Sequence, residues 1–232
     1  DKKRLSKRHD ATGLEEYQLE GYLDSAILNT LARLGWSKGD QEVFYMDDLI
    51  KNFNIDDIQK AGAVFDRSKL DWLNSQHLAN LTLSEIKDHL RPYLIDLSID
   101  IDNHLKVDLL IDAMRSSANT LKGIAVDLVP YYKNVTEYNE NAVSKFIDEE
   151  GLKILKDLRL ELSELELWDV ESLDKILVDY QRDNNCPVPK VNQPIRIALT
   201  GSTKSPSLGL TLSLYEKEDA INRIDALISY IT

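Results

Sequence analysis

Cysteine occurs once in the 232 residues, at Cys186, so the chain can form neither an internal disulfide nor a multi-cysteine metal site. Such sparing use fits a reducing compartment. Glycine (9) and proline (6) are scarce and 29% of residues are charged, which excludes collagen-like and low-complexity classes. The apolar fraction of 43% supplies real hydrophobic cores. No run approaches the roughly 18 apolar residues of a membrane-spanning helix. The charged start has no apolar stretch behind it, so it does not read as a secretory signal. With Asp1 rather than Met at its head, the chain reads as a cytoplasmic piece of a longer protein, a monomer with no membrane partner.

Several common chemistries are missing as well. There is no Gly-rich phosphate loop of either usual pattern, no H-E-x-x-H and no Gly-x-Ser-x-Gly elbow. His9, His77, His89 and His104 are scattered without ligand spacing, so no metal site is expected. Carboxylate neighbours such as Asp47–Asp48 and Glu149–Glu150 carry no signal in a chain with 40 acidic residues. No complete catalytic site is legible.

What is present is unevenly distributed charge. The formal net charge is −12, yet residues 1–8 carry a net of +4. A second basic spot lies in residues 182–204, where Arg182, Lys190, Arg196 and Lys204 face only Asp183. The acidic bulk opposes general nucleic-acid binding, which needs clustered cations to neutralise phosphates. An acidic body with two basic spots can still hold a polyanion locally; the alternative is a solvated acidic surface. The opening stretch has two readings too. It is either a basic tail or a loop whose Arg4, Ser6, Lys7 and Arg8 neutralise a triphosphate as pyrophosphate departs.

Periodicity points to a mainly α fold. Thr82 followed by Glu85 has capping-box spacing, and Leu83, Ile86, Leu90 and Leu94 line one face of the helix it opens. Pro92 is expected to bend or end that helix. Further helices are expected through Leu109, Leu110, Ala113 and Met114, then from Leu121 up to Pro130. A short amphipathic stretch, Val143, Phe146 and Ile147, is expected to stop at Gly151. Stripes at Leu155–Leu165, Val170–Tyr180 and Ile221–Ile228 complete the set. Breaks are expected at residues 35–42, 95–104 and 183–194, the last non-helical because it holds three prolines.

Four stretches in order carry a family resemblance. RLSKRHDAT resembles the signature loop that class I aminoacyl-tRNA synthetases use on ATP. It is followed by YQLEGYLDSAILNTLARLGWSKGD, then AVFDRSKLDWLNSQHL, and near the end QPIRIALTGSTKSPSLG. Together they resemble the C-terminal part of the bacterial-type glutamyl-tRNA synthetases over essentially the whole chain, with residues 81–180 matching least.

The resemblance implies a division into residues 1–12 (signature loop), 13–80 (a helical stem-contact region), and 81–150 and 151–232 (the two parts of an all-helical anticodon-binding cage). It implies that Lys7, with Arg4 and Ser6, belongs to the ATP site, although Asp10 replaces the usual glycine of that loop. Phe65, Asp66, Leu70, Trp72 and Asn74 are expected to be architectural. Gln193, Arg196, Ser205 and Leu208 are implied as anticodon contacts, with an amide and a guanidinium for base edges and Leu208 for a base face. The alternative for Arg196 is a helix cap. Ser117 matches a position near the third anticodon base where some members that reject glutamine tRNA carry arginine. The implied partners are therefore tRNA(Glu) and, from Ser117, tRNA(Gln). The implied parent activity is ligation of L-glutamate to tRNA through a glutamyl-adenylate, using ATP and Mg2+, and the 232 residues alone are expected to be inactive. The competing class is a non-catalytic, acidic helical protein-interaction module.

Overall fold

Residues 13–59, 64–116 and 118–232 are described by the computed structural model. Among them the chain is mainly α, with thirteen α-helices, a 3-10 turn at Ile55–Asp57 and no strand. No helix among the described residues is long and apolar enough to cross a membrane. Contacts divide the chain into two compact units, one within Asp1–Ile101 and Arg115–Val126, the other within Asp102–Met114 and Asp127–Thr232.

The first unit holds α1 (Leu14–Leu19), α2 (Asp24–Gly35), α3 (Met46–Asn52), α4 (Arg67–Asn80) and α5 (Leu83–Asp96). Helix α2 packs on α4. One cluster joins Tyr22, Ile27 and Leu70 with Tyr17 and Phe65; another joins Trp36, Phe44 and Leu49. Asp66 caps α4 by accepting from Ser68 N–H at 2.9 Å. Asn74, fully buried, accepts from Leu23 N–H at 2.8 Å and donates to the Asn119 carbonyl at 2.6 Å. Four of the five residues expected to be architectural are therefore so. Trp72 is the exception at 45% exposed. The buried face of α4 runs through Leu70, Leu73, Asn74 and His77, and at about 100° per residue position 72 falls on the opposite side.

The capping box at Thr82 forms as expected, with Thr82 and Glu85 exchanging side-chain-to-backbone hydrogen bonds. Pro92 does not end α5, which continues to Asp96. The proline is exposed, so the carbonyl it leaves without a helical donor can meet water. In α6 (Val107–Arg115) the buried residues are Leu110, Ile111 and Met114, whereas Leu109 is 58% exposed. Helix α7 (Leu121–Tyr132) likewise runs past Pro130.

The second unit is built around one helix. After α8 (Glu140–Phe146), α9 (Glu149–Glu164) and α10 (Val170–Asp183) comes α11 (Val188–Thr200), followed by α12 (Leu208–Ser213) and α13 (Lys217–Ile231). Helix α11 touches α8, α9, α10, α12 and α13. It buries Val191, Pro194, Ile195, Ile197, Ala198 and Leu199, more than one face, as a central helix must.

Two expectations fail in this unit. Residues 188–194 are helical despite their prolines. Pro187 is the N-cap and Pro189 lies in the first turn, where no intrahelical N–H is lost, so only Pro194 forfeits a bond. Gly151 does not stop a helix but lies in the first turn of α9, whose N-cap Asp148 accepts from its N–H at 2.8 Å. A Cβ at Gly151 would run into the Phe146 carbonyl, so the glycine permits two helices to meet almost without a linker.

Candidate nucleic-acid interface

Helix α11 ends at Gly201, which adopts φ +72° and whose N–H donates to the Ile197 carbonyl at 2.8 Å. Left-handed backbone at a helix end favours glycine. Here it also leaves no room for a side chain, since a Cβ would sit 2.8 Å from the Glu137 carbonyl oxygen. The chain then runs through residues 202–207 into α12. Gln193 and Arg196, one turn apart on α11, are both half-buried.

Arg196 ties this loop to α11. Its Nε donates to Ser205 Oγ at 2.8 Å and its Nη2 to the Pro206 carbonyl at 2.9 Å. It braces a loop rather than capping a helix. Ser205 Oγ also shares a hydrogen bond with Thr211 Oγ1 at 2.8 Å. Burial pulls the Arg196 guanidinium below its ordinary pKa, so its charge is only partly solvated and gains from any added acceptor. Gln193 Oε1 is buried without a hydrogen-bond partner among the described residues. An amide acceptor in that state suits a donor on a ligand.

The expected residues thus divide. Arg196 and Ser205 are hydrogen-bonded, and Gln193 lies one turn before Arg196 on α11. Leu208 opens α12 as a core residue, 2% exposed, so a base reaches it only if the loop moves. Arg4, Ser6, Lys7 and Ser117 lie outside the described residues. The basic spot of residues 182–204 is largely neutralised within the protein. Arg182 pairs with Asp179 at 2.8 Å and Asp183 at 2.9 Å, and Lys190 pairs with Glu150. Arg196 and the exposed Lys204 are the cations of that stretch closest to the loop.

Sequence reasoning missed the groups behind the loop. Tyr131 on α7 is 6% exposed and stacks on Tyr215, with ring centroids 4.9 Å apart and an 18° interplanar angle. Burial pushes the Tyr131 phenol up to about 12. Arg223, 7% exposed, lies over Tyr215 at 4.7 Å, pairs with Asp219 at 3.0 Å and donates to the carbonyls of Leu199 and Lys133. The i,i+4 spacing of Asp219 and Arg223 was visible in the sequence, but nothing local marked Arg223 as buried.

Comparison with known proteins gives two family matches. Residues 85–228 match the family described as the anticodon binding domain, and residues 1–72 match the class I tRNA synthetase (E and Q) catalytic domain. Glutamate–tRNA ligase 2 of Halorhodospira halophila is 35% identical over 231 residues, covering 100% of this chain and 49% of that protein. Glutamate–tRNA ligase 1 of Nitrosococcus oceani matches with the same identity and coverage. The chain therefore spans about half the length of these relatives. The crystal structure of a glutamate tRNA ligase from Elizabethkingia meningosepticum, in complex with its amino acid, superposes with a TM-score of 0.79 at 28% identity, over 93% of this chain and 43% of that one. The enzyme of Elizabethkingia anophelis gives 0.74 at 28% identity, over 92% and 42%.

Proposed function

The chain belongs to the anticodon-binding-domain family, and from that premise we propose that it is the tRNA-recognising part of a glutamate–tRNA ligase. The parent enzyme joins L-glutamate to tRNA in the cytoplasm through a glutamyl-adenylate, with ATP and Mg2+ as reactants. The observation that carries the reading is the family match over residues 85–228, supported by the Arg196–Ser205 hydrogen bond with Gln193 one turn before it on α11. A half-desolvated guanidinium and an unpaired amide acceptor recognise base edges or phosphate on a single-stranded loop.

The proposed division places the signature loop in residues 1–12, a stem-contact region in 13–80 and the two parts of the anticodon cage in 81–150 and 151–232. Lys7, Arg4 and Ser6 would hold ATP phosphates. Ser117, small where an arginine would discriminate, extends the proposal to glutamine tRNA. The 232 residues bind tRNA as a monomer and charge none.

Filter binding of glutamate tRNA, with and without a scrambled anticodon, tests the reading. Affinity that depends on the anticodon and weakens with salt is expected. Equal binding of both RNAs overturns it in favour of the acidic interaction module. Charging of both tRNAs by the full-length enzyme supports the Ser117 proposal, and strict rejection of glutamine tRNA ends it.

A further inference from the structure

The first unit carries an apolar face that none of its described residues covers. Met46, Ile50 and Phe53 follow one another at i, i+4 and i+7 along α3 and its C-cap, so they form a single stripe. All three are exposed, Ile50 by 75%. Leu28 and Leu31 on α2 are exposed as well. Ile50, Phe53, Leu28 and Leu31 line a groove of about 550 Å3, together with Trp36 and Leu49 of the core cluster beneath. The Phe53 ring lies against Trp36, with centroids 5.6 Å apart, so groove and core are continuous. Ile58 also lines the groove and is held in place. Gln59 N–H donates to the Gly35 carbonyl at 2.7 Å, and a Cβ on Gly35 would come within 3.3 Å of Ile58 Cγ2. Packed elements build this groove; it is not a gap under a loose loop.

The chemistry of the face selects its occupant. Asp47 lies one turn before Ile50 on α3, and Asp56 and Asp57 directly precede Ile58; all three are exposed and outnumber the exposed Lys51. An apolar groove bordered by carboxylates gives an RNA backbone or an anionic membrane surface nothing to hold. It suits another protein surface. The family matches say which one. The class I catalytic-domain family matches residues 1–72, a stretch that contains every residue of the groove. The chain spans about half the length of its relatives, so the other half of such a ligase lies outside these 232 residues. A domain is built around one shared core, and a piece of it keeps an apolar face where the rest would pack. We propose that the groove between α2 and α3 is the docking seat for the catalytic part of the same ligase. That part places apolar side chains over Ile50, Phe53 and Leu31, with lysine or arginine beside Asp47, Asp56 and Asp57. The first unit is then anchored to the catalytic part by packing as well as by chain connection.

This inference rests on reading the chain as part of a glutamate–tRNA ligase, and Ile50→Asp tests it in both the 232-residue chain and the full-length ligase. In the 232-residue chain the variant is expected to melt within about 2 °C of wild type, as surface substitutions do. In the full-length ligase the new carboxylate is buried against apolar groups, and the melting temperature is expected to fall by about 4 °C or more. Hydrogen exchange on the two wild-type proteins gives a measure that needs no variant. Amides of residues 46–53 are expected to exchange about tenfold more slowly in the full-length ligase. An equal loss of stability in both proteins would make Ile50 part of the unit's own fold and overturn the proposal. Equal exchange rates would overturn it too. So would a full-length dimer that Ile50→Asp dissociates, because a second copy then fills the groove. Charging of glutamate tRNA by wild-type full-length protein keeps the two readings apart. A protein that charges but shows equal exchange sinks the docking alone, whereas one that charges no tRNA sinks the ligase reading.

Discussion

Arg196 is the residue on which sequence and structure meet most closely. Its two internal hydrogen bonds, to Ser205 and Pro206, use the geometry of a planar guanidinium, which a lysine ammonium does not reproduce. Arg196→Ala should therefore weaken anticodon stem-loop binding about tenfold or more, given about 1.5–3 kcal/mol for charged hydrogen bonds, with Arg196→Lys restoring little. Filter binding at fixed salt measures both. His77 supports a separate residue-scale prediction, about stability. It is buried, its Nε2 faces Asn29 Oδ1 at 3.1 Å, and that same oxygen accepts from Phe44 N–H at 2.8 Å. The ring must therefore donate from Nε2. Burial lowers the His77 pKa, and His104 is lowered by burial and by the nearby Lys106 charge. The unfolded chain thus binds protons more readily than the folded one. The histidine contribution is fully present above the unfolded pKa of about 6.5 and is lost as pH falls below it. Urea midpoints at pH 7.5 and 5.5 should differ less in His77→Gln, which retains a donor but does not titrate.

At the scale of elements, the helix–loop–helix from α11 to α12 depends on its left-handed hinge. Gly201→Ala meets both a positive φ and a Cβ 2.8 Å from the Glu137 oxygen. A loss of about 1–3 kcal/mol is expected, read from urea unfolding, together with weaker stem-loop binding because the 202–207 loop shifts. A Gly39→Ala control has the positive φ but open space around its Cβ, so it should be the milder change. The helical stripes were legible where charged residues alternated with Leu and Ile, as in α9, α10 and α13. The N-terminal half of α11 was not legible, because proline counts against a helix by type, whereas its actual cost depends on whether the lost N–H had a partner. Leu109 and Trp72 show the corresponding limit for burial. Composition marks both as core residues, but the angle of each around its helix puts it in solvent.

For the molecule as a whole, the proposed RNA binding has to work against a formal charge of −12. With Arg182 and Lys190 already paired internally, Arg196 and Lys204 are the cations that residues 182–204 leave near the loop. A salt slope of only about −1 to −2 is expected for stem-loop binding, from about −0.7 per single-stranded phosphate neutralised. Affinity measured across a salt series checks this, and a steep slope would point to cations elsewhere in the chain. A shallow slope would mean selection by fit and register rather than by general electrostatic grip.

The sequence by itself determined the helical class, the capping box at Thr82 and the family, because these rest on local periodicity and on the order of short motifs along one chain. Through the family resemblance it also pointed to Gln193, Arg196, Ser205 and Leu208 as expected anticodon contacts. Tertiary structure alone decided which charges remain available, since Lys190 meets Glu150 and Arg223 enters the core only when distant helices pack. It also decided that Leu208 is core and that Tyr131 is buried and stacked on Tyr215. Burial and hydrogen-bond pairing belong to the space between elements, and no spacing along the chain encodes that space.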